Sequence, residues 1–368
     1  MTAFVRRSLS DLSGWQEADH ALAFAAFRRS AERLRAGAFP TGSLGIAVSD
    51  YAEAAEAALA SGDLAGPQAR EFFERAFVPL RIVPEGADGP LPGFVTGYYE
   101  PVVDASPVRT EHFRFPLYQP PDDLVKIDDD NRPFGFDPSF RFARRLPDGD
   151  LVEYPDRAAI ENGFLAGRGL EIAWLDDAVE AFLIHVQGSA RLRFAGGHEV
   201  RVGYAAKTGH EFTAIGRVLI ERGELTRVEA DMDGIRAWLA SHPDEVRPLL
   251  HRNRSFIFFR EFPVEDPGLG PVGAAKVPLT ALASIAVDRL LATYGVPYFI
   301  SAPELLLDSS PLRRLMIAQD TGSAILGPAR ADIFIGSGPV AGAVAGRIRH
   351  AADFTLFVPP ALAERLAE

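Results

Sequence analysis

The chain has 368 residues, 47% hydrophobic and 24% charged, with mean hydropathy +0.02, the composition of a globular protein of about two domains. A net charge of −12 and an isoelectric point of about 5.2 exclude the cationic surface of a nucleic-acid binder, and no apolar run is long enough to cross a bilayer as a helix. Zero cysteines exclude disulfides, zinc–thiolate sites, a thiol nucleophile and a lipidated cysteine, while leaving the compartment open.

Met1–Ser10 holds two arginines with no apolar run after them, so no secretory signal is expected in this chain. Asp19–Ala36 places Leu22, Phe24, Phe27 and Leu34 at helical spacing behind Asp19 as N-cap. Tyr51–Leu59 and Gly66–Phe77 read as two further helices, with Phe72 and Phe73 as core. Gly93–Val103 (GFVTGYYEPVV) reads as a strand whose internal glycine marks a bulge or a close backbone approach. Tyr98, Tyr99 and Glu100 are candidates for an edge that stacks on and hydrogen-bonds a sugar; a tyrosine pair packing a sheet is the alternative.

From Asp104 to about Arg260 the chain is rich in Pro, Asp and Arg, with short strands. Asp128–Asn131 (DDDN) lacks the glycine and terminal glutamate of a calcium loop and reads as a solvated turn. Ala181–Phe194 alternates and breaks at Gly188-Ser189, which predicts two strands joined at a turn. Gln187, Gly188 and Ser189 at that turn can meet a hydroxylated ligand, and His185 reads as a satisfied strand histidine. Tyr204–Gly209 leads into a predicted helix, His210–Arg222, so Lys207, Thr208 and Gly209 would lie at its N-terminus, where an anion can bind. Short helices are predicted at Asp231–Ala240 and Asp244–His251, and a strand at Arg254–Phe259. Beyond the linker Pro263–Pro271, Val277–Val287 runs into Asp288, and Pro297–Ser301 and Asp353–Pro359 read as strands. Many short strands with long connections predict a mainly β fold with helices, built on a closed barrel.

Arg313–Gly338 (RRLMIAQDTGSAILGPARADIFIGSG) is the richest stretch chemically. Two apolar runs, Leu315–Ala318 and Ile333–Ile335, each have an aspartate close to one end. If Ala331–Ile335 is extended, Asp332 and Phe334 share one face. Pairing of the two runs would bring Asp320 beside Asp332, and two carboxylates in a partly dry cleft hold a proton towards neutral pH. Asp320-Thr321-Gly322 also matches the aspartic-protease signature, but no second Asp-Thr-Gly or Asp-Ser-Gly exists to complete a pepsin-like monomer.

The run QDTGSAILGPARADIFIGSGPVAGAVAG, with GYYEP at Gly97–Pro101, HVQGSARLRF at His185–Phe194, YAAKTGHEFTAIGRVLIERGEL at Tyr204–Leu225, NRSFIFF at Asn253–Phe259 and VPLTALASIAVDR at Val277–Arg289, resembles the membrane-bound lytic murein transglycosylase A family. The C-terminal part resembles the module named for three aspartates, here Asp288, Asp320 and Asp332. The resemblance implies a double-psi β-barrel catalytic domain from residues 1–104 and 263–368, with N-terminal helices. A smaller inserted β domain, 105–262, would form the other wall of the glycan groove. It implies cleavage of the MurNAc-β-1,4-GlcNAc bond of peptidoglycan with 1,6-anhydromuramoyl products, no metal and no cofactor, and Asp332 as catalytic residue. Asp320 and Asp288 would support it. Tyr98, Tyr99, Glu100, Gln187, Gly188, Ser189, Lys207, Thr208, Gly209 and Thr321 would bind substrate. Partners would be peptidoglycan glycan strands and cell-wall synthesis proteins, in the periplasm and in association with the outer membrane. Ser323 and Leu326 stand where the family commonly has Gly and Lys, and the lipobox cysteine is absent.

One carboxylate suffices where the sugar's own C6 hydroxyl replaces water as nucleophile. The rival chemistry uses two carboxylates, Glu100 with Asp332, and releases reducing ends. A third reading is a glycan-binding protein on the same scaffold.

Overall fold

The computed structural model describes residues 2–86, 89–90, 92–138 and 140–367. Two compact units divide the chain: Met1–Tyr99 with Gly268–Glu368, and Glu100–Pro267.

The first unit is built on six strands, β1 (Gly93–Glu100), β2 (Ser284–Val287), β3 (Pro297–Leu307), β4 (Ser310–Asp320), β5 (Arg330–Ser337) and β6 (Arg349–Val358). They pair in the order β6-β3-β4-β2-β5-β1, and β1 pairs back to β6, so the sheet closes into a barrel. Closure removes the unpaired edges that a long apolar sheet would expose. The β3–β4 hairpin turns on Asp308 and Ser309, both at positive φ, the geometry that matches strand twist in two-residue loops. Thr2–Arg6 and Val78–Gly86 extend the sheet beyond β6.

Three helices pack on this unit: α1 (His20–Arg35), α2 (Ala52–Ala60) and α3 (Gly66–Ala76). Asp19 caps α1 by accepting the Leu22 N–H at 3.0 Å, as its sequence position predicts. Phe24, Phe27, Phe72, Phe73 and Phe77 form one aromatic cluster, with Phe24 and Phe72 edge-to-face at 4.9 Å. These rings join Ile285, Ile317 and Ile333 of the barrel in a single core. Gly97 is a close-approach glycine: a Cβ there would lie 2.9 Å from the Ala345 backbone.

The second unit holds a four-stranded sheet in the order Ile257–Pro263, Glu199–Lys207, Ser189–Phe194, Val102–Ala105, with smaller sheets of two and three strands. Two expectations fail here. Ala181–Phe194 is not a strand pair: residues Ala178–Gln187 are an α-helix, and only Ser189–Phe194 is a strand. Asp177 starts the helix by accepting the Val179 and Glu180 N–H groups, and Gly188 ends it in the left-handed region at φ +78°. Periodicity cannot separate a short buried helix from a strand when most of the run is apolar. The helix predicted at His210–Arg222 covers only Ile215–Glu221. Upstream, the buried His210 ring donates through Nε2 to the Tyr154 carbonyl at 2.7 Å, and the Thr213 N–H goes to Asn253 at 3.2 Å. Those bonds hold the segment irregular. Asp128–Asn131 is a turn, with Asn131 Oδ1 accepting the Asp128 N–H at 2.9 Å.

Candidate active site

Strand alternation puts Arg330, Asp332 and Phe334 on one face of β5, and Thr96 and Tyr98 on one face of the neighbouring β1. The two rows interlock. The Thr96 hydroxyl donates to Asp332 Oδ1, and Arg330 Nη2 donates to Thr96 Oγ1 at 2.7 Å. The Tyr98 ring lies 5.4 Å from the buried Phe334 ring, and its hydroxyl donates to Asp320 Oδ2 at 3.0 Å.

Asp320 and Asp332 come together, though not by direct pairing of their strands. β2 lies between them, parallel to β4 and antiparallel to β5, and Ala286 stands in register with both aspartates. The four-residue strand that carries Ala286 is the spacer.

The three aspartates differ in what occupies their oxygens. Asp288, 7% exposed, accepts the Leu290 N–H at 3.0 Å with Oδ1 and the Gly327 N–H at 2.9 Å with Oδ2, so it ties two loops. Asp320 accepts the Ala274 N–H at 3.0 Å on Oδ1 and Tyr98 on Oδ2. Only Asp332 keeps one oxygen, Oδ2, without a protein hydrogen bond among the described residues, and its side chain is partly exposed.

Burial raises the pKa of Asp332 above the ordinary carboxylate value, against the Thr96 hydrogen bond and the Arg330 charge, which favour the ionised form. Burial also raises Asp320, and the charge of Asp332 adds to that rise; the Ala274 and Thr321 amides and the Tyr98 hydroxyl oppose it. Tyr98 is pushed well above its usual value, first by burial and then by Asp320, so it stays a donor. The face thus carries a carboxyl group of raised pKa with one oxygen free of protein hydrogen bonds among the described residues.

The other predicted residues fall elsewhere or into structural roles. Thr321 donates its hydroxyl to the Val287 carbonyl at 2.7 Å. Tyr99 is buried, its ring against Gly342, Ala341 and Ala345. Glu100, in the second unit, is fully buried: Arg191 Nη2 donates to its Oε2 at 3.2 Å, Arg201 Nη2 to the same oxygen at 3.1 Å, and Arg201 Nε to Oε1. That removes it as a sugar-contacting edge and as the second carboxylate of a hydrolase. Gln187 and Gly188 end a helix and Ser189 opens the next strand, so they do not form the predicted hairpin turn. Lys207 closes the strand Glu199–Lys207, half-buried. Thr208 is buried and accepts the Phe256 N–H at 3.2 Å; Gly209 has φ +96°, where a Cβ would lie 2.5 Å from Phe140. With the helix starting at Ile215, these three residues do not sit at a helix N-terminus. His185 is satisfied, in a helix: its Nδ1 accepts the Ile257 N–H at 3.3 Å.

Thr96, Arg330 and the Ala274 amide belong to the face and are absent from the sequence prediction. A period-two count would have found two of them, since Thr96 precedes Tyr98 and Arg330 precedes Asp332 by two positions. Nothing local signals Ala274. It arrives from a loop that packs against the barrel: a Cβ at Gly270 would lie 2.4 Å from the Phe334 ring, and one at Gly273 would lie 2.5 Å from the Gln319 carbonyl.

A closed barrel carrying an acid of raised pKa, interrupted by an inserted β unit, defines a class that comparison with known proteins identifies. The family described as the MltA specific insert domain matches residues 94–260, and the 3D domain matches residues 283–358. A membrane-bound lytic murein transglycosylase A of Escherichia coli is 34% identical over 275 residues, covering 72% of this chain and 66% of that protein, just under two thirds of its length. The crystal structure of a membrane-bound lytic murein transglycosylase from Agrobacterium tumefaciens superposes with TM-score 0.92 at 47% identity, covering 99% of each chain. Escherichia coli MltA with bound chitohexaose superposes with TM-score 0.65 at 28% identity, covering 97% of this chain and 91% of that one. This chain belongs to the membrane-bound lytic murein transglycosylase A family.

Proposed function

We propose that this chain is a peptidoglycan lytic transglycosylase that cleaves the MurNAc-β-1,4-GlcNAc bond and leaves a 1,6-anhydromuramoyl end, with Asp332 as its one catalytic carboxylate. The observation that carries this is the state of Asp332. It is the aspartate with a free oxygen, in surroundings that keep it protonated above the ordinary carboxylate range. Protonated Asp332 gives its proton from Oδ2 to the glycosidic oxygen as the C1–O4 bond breaks. The resulting carboxylate takes the proton of the C6 hydroxyl while O6 bonds to C1. No water is consumed, and Asp332 ends protonated, ready for the next turn. Acid and base are one group, so the raised pKa serves both steps.

Thr96 fixes Oδ1 and leaves Oδ2 to the chemistry. Asp320 and Asp288 hold the surrounding loops, Tyr98 is the aromatic candidate for glycan contact next to the acid's face, and Thr321 is a candidate beside Asp320. Gln187, Ser189 and Lys207 of the inserted unit are the remaining candidates for glycan contact. Escherichia coli MltA binds chitohexaose, an oligosaccharide, which supports a glycan strand as substrate here. A peptidoglycan substrate supports the periplasm as the working compartment. The membrane-bound relatives support association with the outer membrane, and proteins of cell-wall synthesis are the partners such a site implies. The barrel is read as a double-psi barrel.

The test is mass spectrometry of the products released from sacculi. Anhydromuropeptides, one water lighter than reducing muropeptides, are expected; reducing ends would return the search to a second carboxylate.

A further inference from the structure

A cavity of about 600 Å³ lies wholly within the unit Glu100–Pro267, walled by residues that the proposed reaction does not use. Its size is that of a pocket for a small ligand. Its charge is one-sided. Four arginines line it, Arg109, Arg114, Arg157 and Arg247, against one carboxylate, Glu161. Glu161 is already taken: Arg157 Nη1 reaches its Oε1 at 3.0 Å and His251 Nε2 its Oε2 at 2.9 Å. Among the described residues Arg247 donates to neutral oxygens, the Glu161 carbonyl and Asn162 Oδ1, both at 3.1 Å. Arg109 and Arg114 are exposed, and neither has a carboxylate partner among the described residues. Three guanidinium charges therefore face one cavity uncompensated, in a chain of net charge −12.

The rest of the wall is aromatic, with Phe115 and Trp174 half-buried, and Arg114 stands 5.5 Å over the Phe115 ring. A fitting occupant carries more than one anionic group and an apolar part. Guanidinium forks pair carboxylates in a bidentate manner, and the volume suits a few amino-acid residues rather than the paired acyl chains of a lipid. We infer that this cavity binds a short acidic peptide, and that in a murein enzyme the peptide is the stem carried by the muramoyl residues of the glycan. The identity of the peptide rests on the function proposed above; the acidic-peptide site does not.

The test is calorimetric titration of the full chain with the isolated tetrapeptide L-alanyl-γ-D-glutamyl-meso-diaminopimelyl-D-alanine. One-to-one binding is expected. It should weaken by about tenfold or more in the double variant Arg109→Gln/Arg114→Gln, as charge-assisted bonds are lost, and by a similar factor when the peptide's carboxylates are amidated. On peptide-bearing strands the double variant should raise KM, with KM on peptide-free strands unchanged. The inference is overturned if wild type does not bind the peptide. It is overturned too if the double variant or the amidated peptide binds equally, or if phosphatidylglycerol vesicles bind and the peptide does not. Absence of anhydro products from peptide-free strands would instead strike the proposed reaction and leave the titration standing.

Discussion

Strand β1 carries Thr96, bonded to Asp332 of β5, and ends at Glu100, and the oxygens of these two carboxylates are occupied in opposite ways. Glu100 is the more deeply buried, yet its oxygens are filled by the guanidinium groups of Arg191 and Arg201. Asp332 is partly exposed, with a hydroxyl on one oxygen and no hydrogen bond on the other among the described residues. Burial alone therefore does not make an acid. What sits against the carboxylate oxygens decides whether the group is an ion-pair anchor or a proton donor. A reading of function from buried acidic residues would pick Glu100 and miss the reason it cannot serve.

The sharpest way to break this contrast is to neutralise each group. Asp332→Asn should cut release of anhydromuropeptides by about 10⁴-fold or more, since acid and base are lost together, while the protein still folds and binds sacculi. Stability carries a sign of its own. The folded-state pKa of Asp332 lies above the unfolded value of about 3.9, so wild type loses stability as pH rises through the interval between the two. The Asn variant should therefore be the more stable at neutral pH, with the gain vanishing below the unfolded pKa, as thermal melts across pH would record. Glu100→Gln has the opposite signature. It takes from Arg191 and Arg201, 8% and 5% exposed, the carboxylate they share, leaving Arg191 the longer contact to Glu199 at 4.0 Å. It should cost about 3–5 kcal/mol in urea unfolding, with product chemistry unchanged in whatever folds. A Glu100→Gln protein that is stable and releases reducing ends would undo the comparison.

How much of this could be read from the chain depends on the range of the interaction. The α1 cap at Asp19 and the shared face of Asp332 and Phe334 are local, and the sequence carries them directly. The closed barrel follows from many short strands with long connections, although its order does not. The juxtaposition of Asp320 with Asp332 was legible only as a conditional, because the strand that brings them together, Ser284–Val287, is short and lies far upstream in the chain. Glu100 looked like a sugar edge because its partners are 91 and 101 positions away. The helix Ala178–Gln187 escapes a periodicity count because an apolar run of that length fits either period, and its local markers are the cap at Asp177 and the terminating Gly188.

Asp320→Asn tests the coupling within the site and should have a smaller effect than either change above. Tyr98 loses its carboxylate acceptor, and the interaction between the two carboxyl groups, which raises Asp320, is removed. Turnover should fall by about tenfold. Because the protonated acid starts the reaction, activity declines as pH rises past the pKa of Asp332. Because repulsion between two carboxylates acts on both of them, its removal should move this declining limb to lower pH. A limb that stays in place while turnover falls would mean that Asp320 acts through the Ala274 loop alone.

Thr96→Val should produce the smallest loss and move the limb the other way. The Thr96 hydrogen bond favours ionised Asp332, so removing it raises the pKa further and carries the declining limb to higher pH. The carboxylate formed after proton transfer loses its one donor, and Arg330 Nη2 loses its acceptor; turnover should drop by about threefold, a fraction of the worth of a charge-assisted hydrogen bond. Thr96→Ser keeps the hydroxyl and deletes only a methyl group. If Ser restores both rate and limb, the bond to Oδ1 is what Thr96 contributes. If Ser behaves as Val does, Thr96 matters for packing, and the selection of Oδ2 as the proton-carrying oxygen needs another cause.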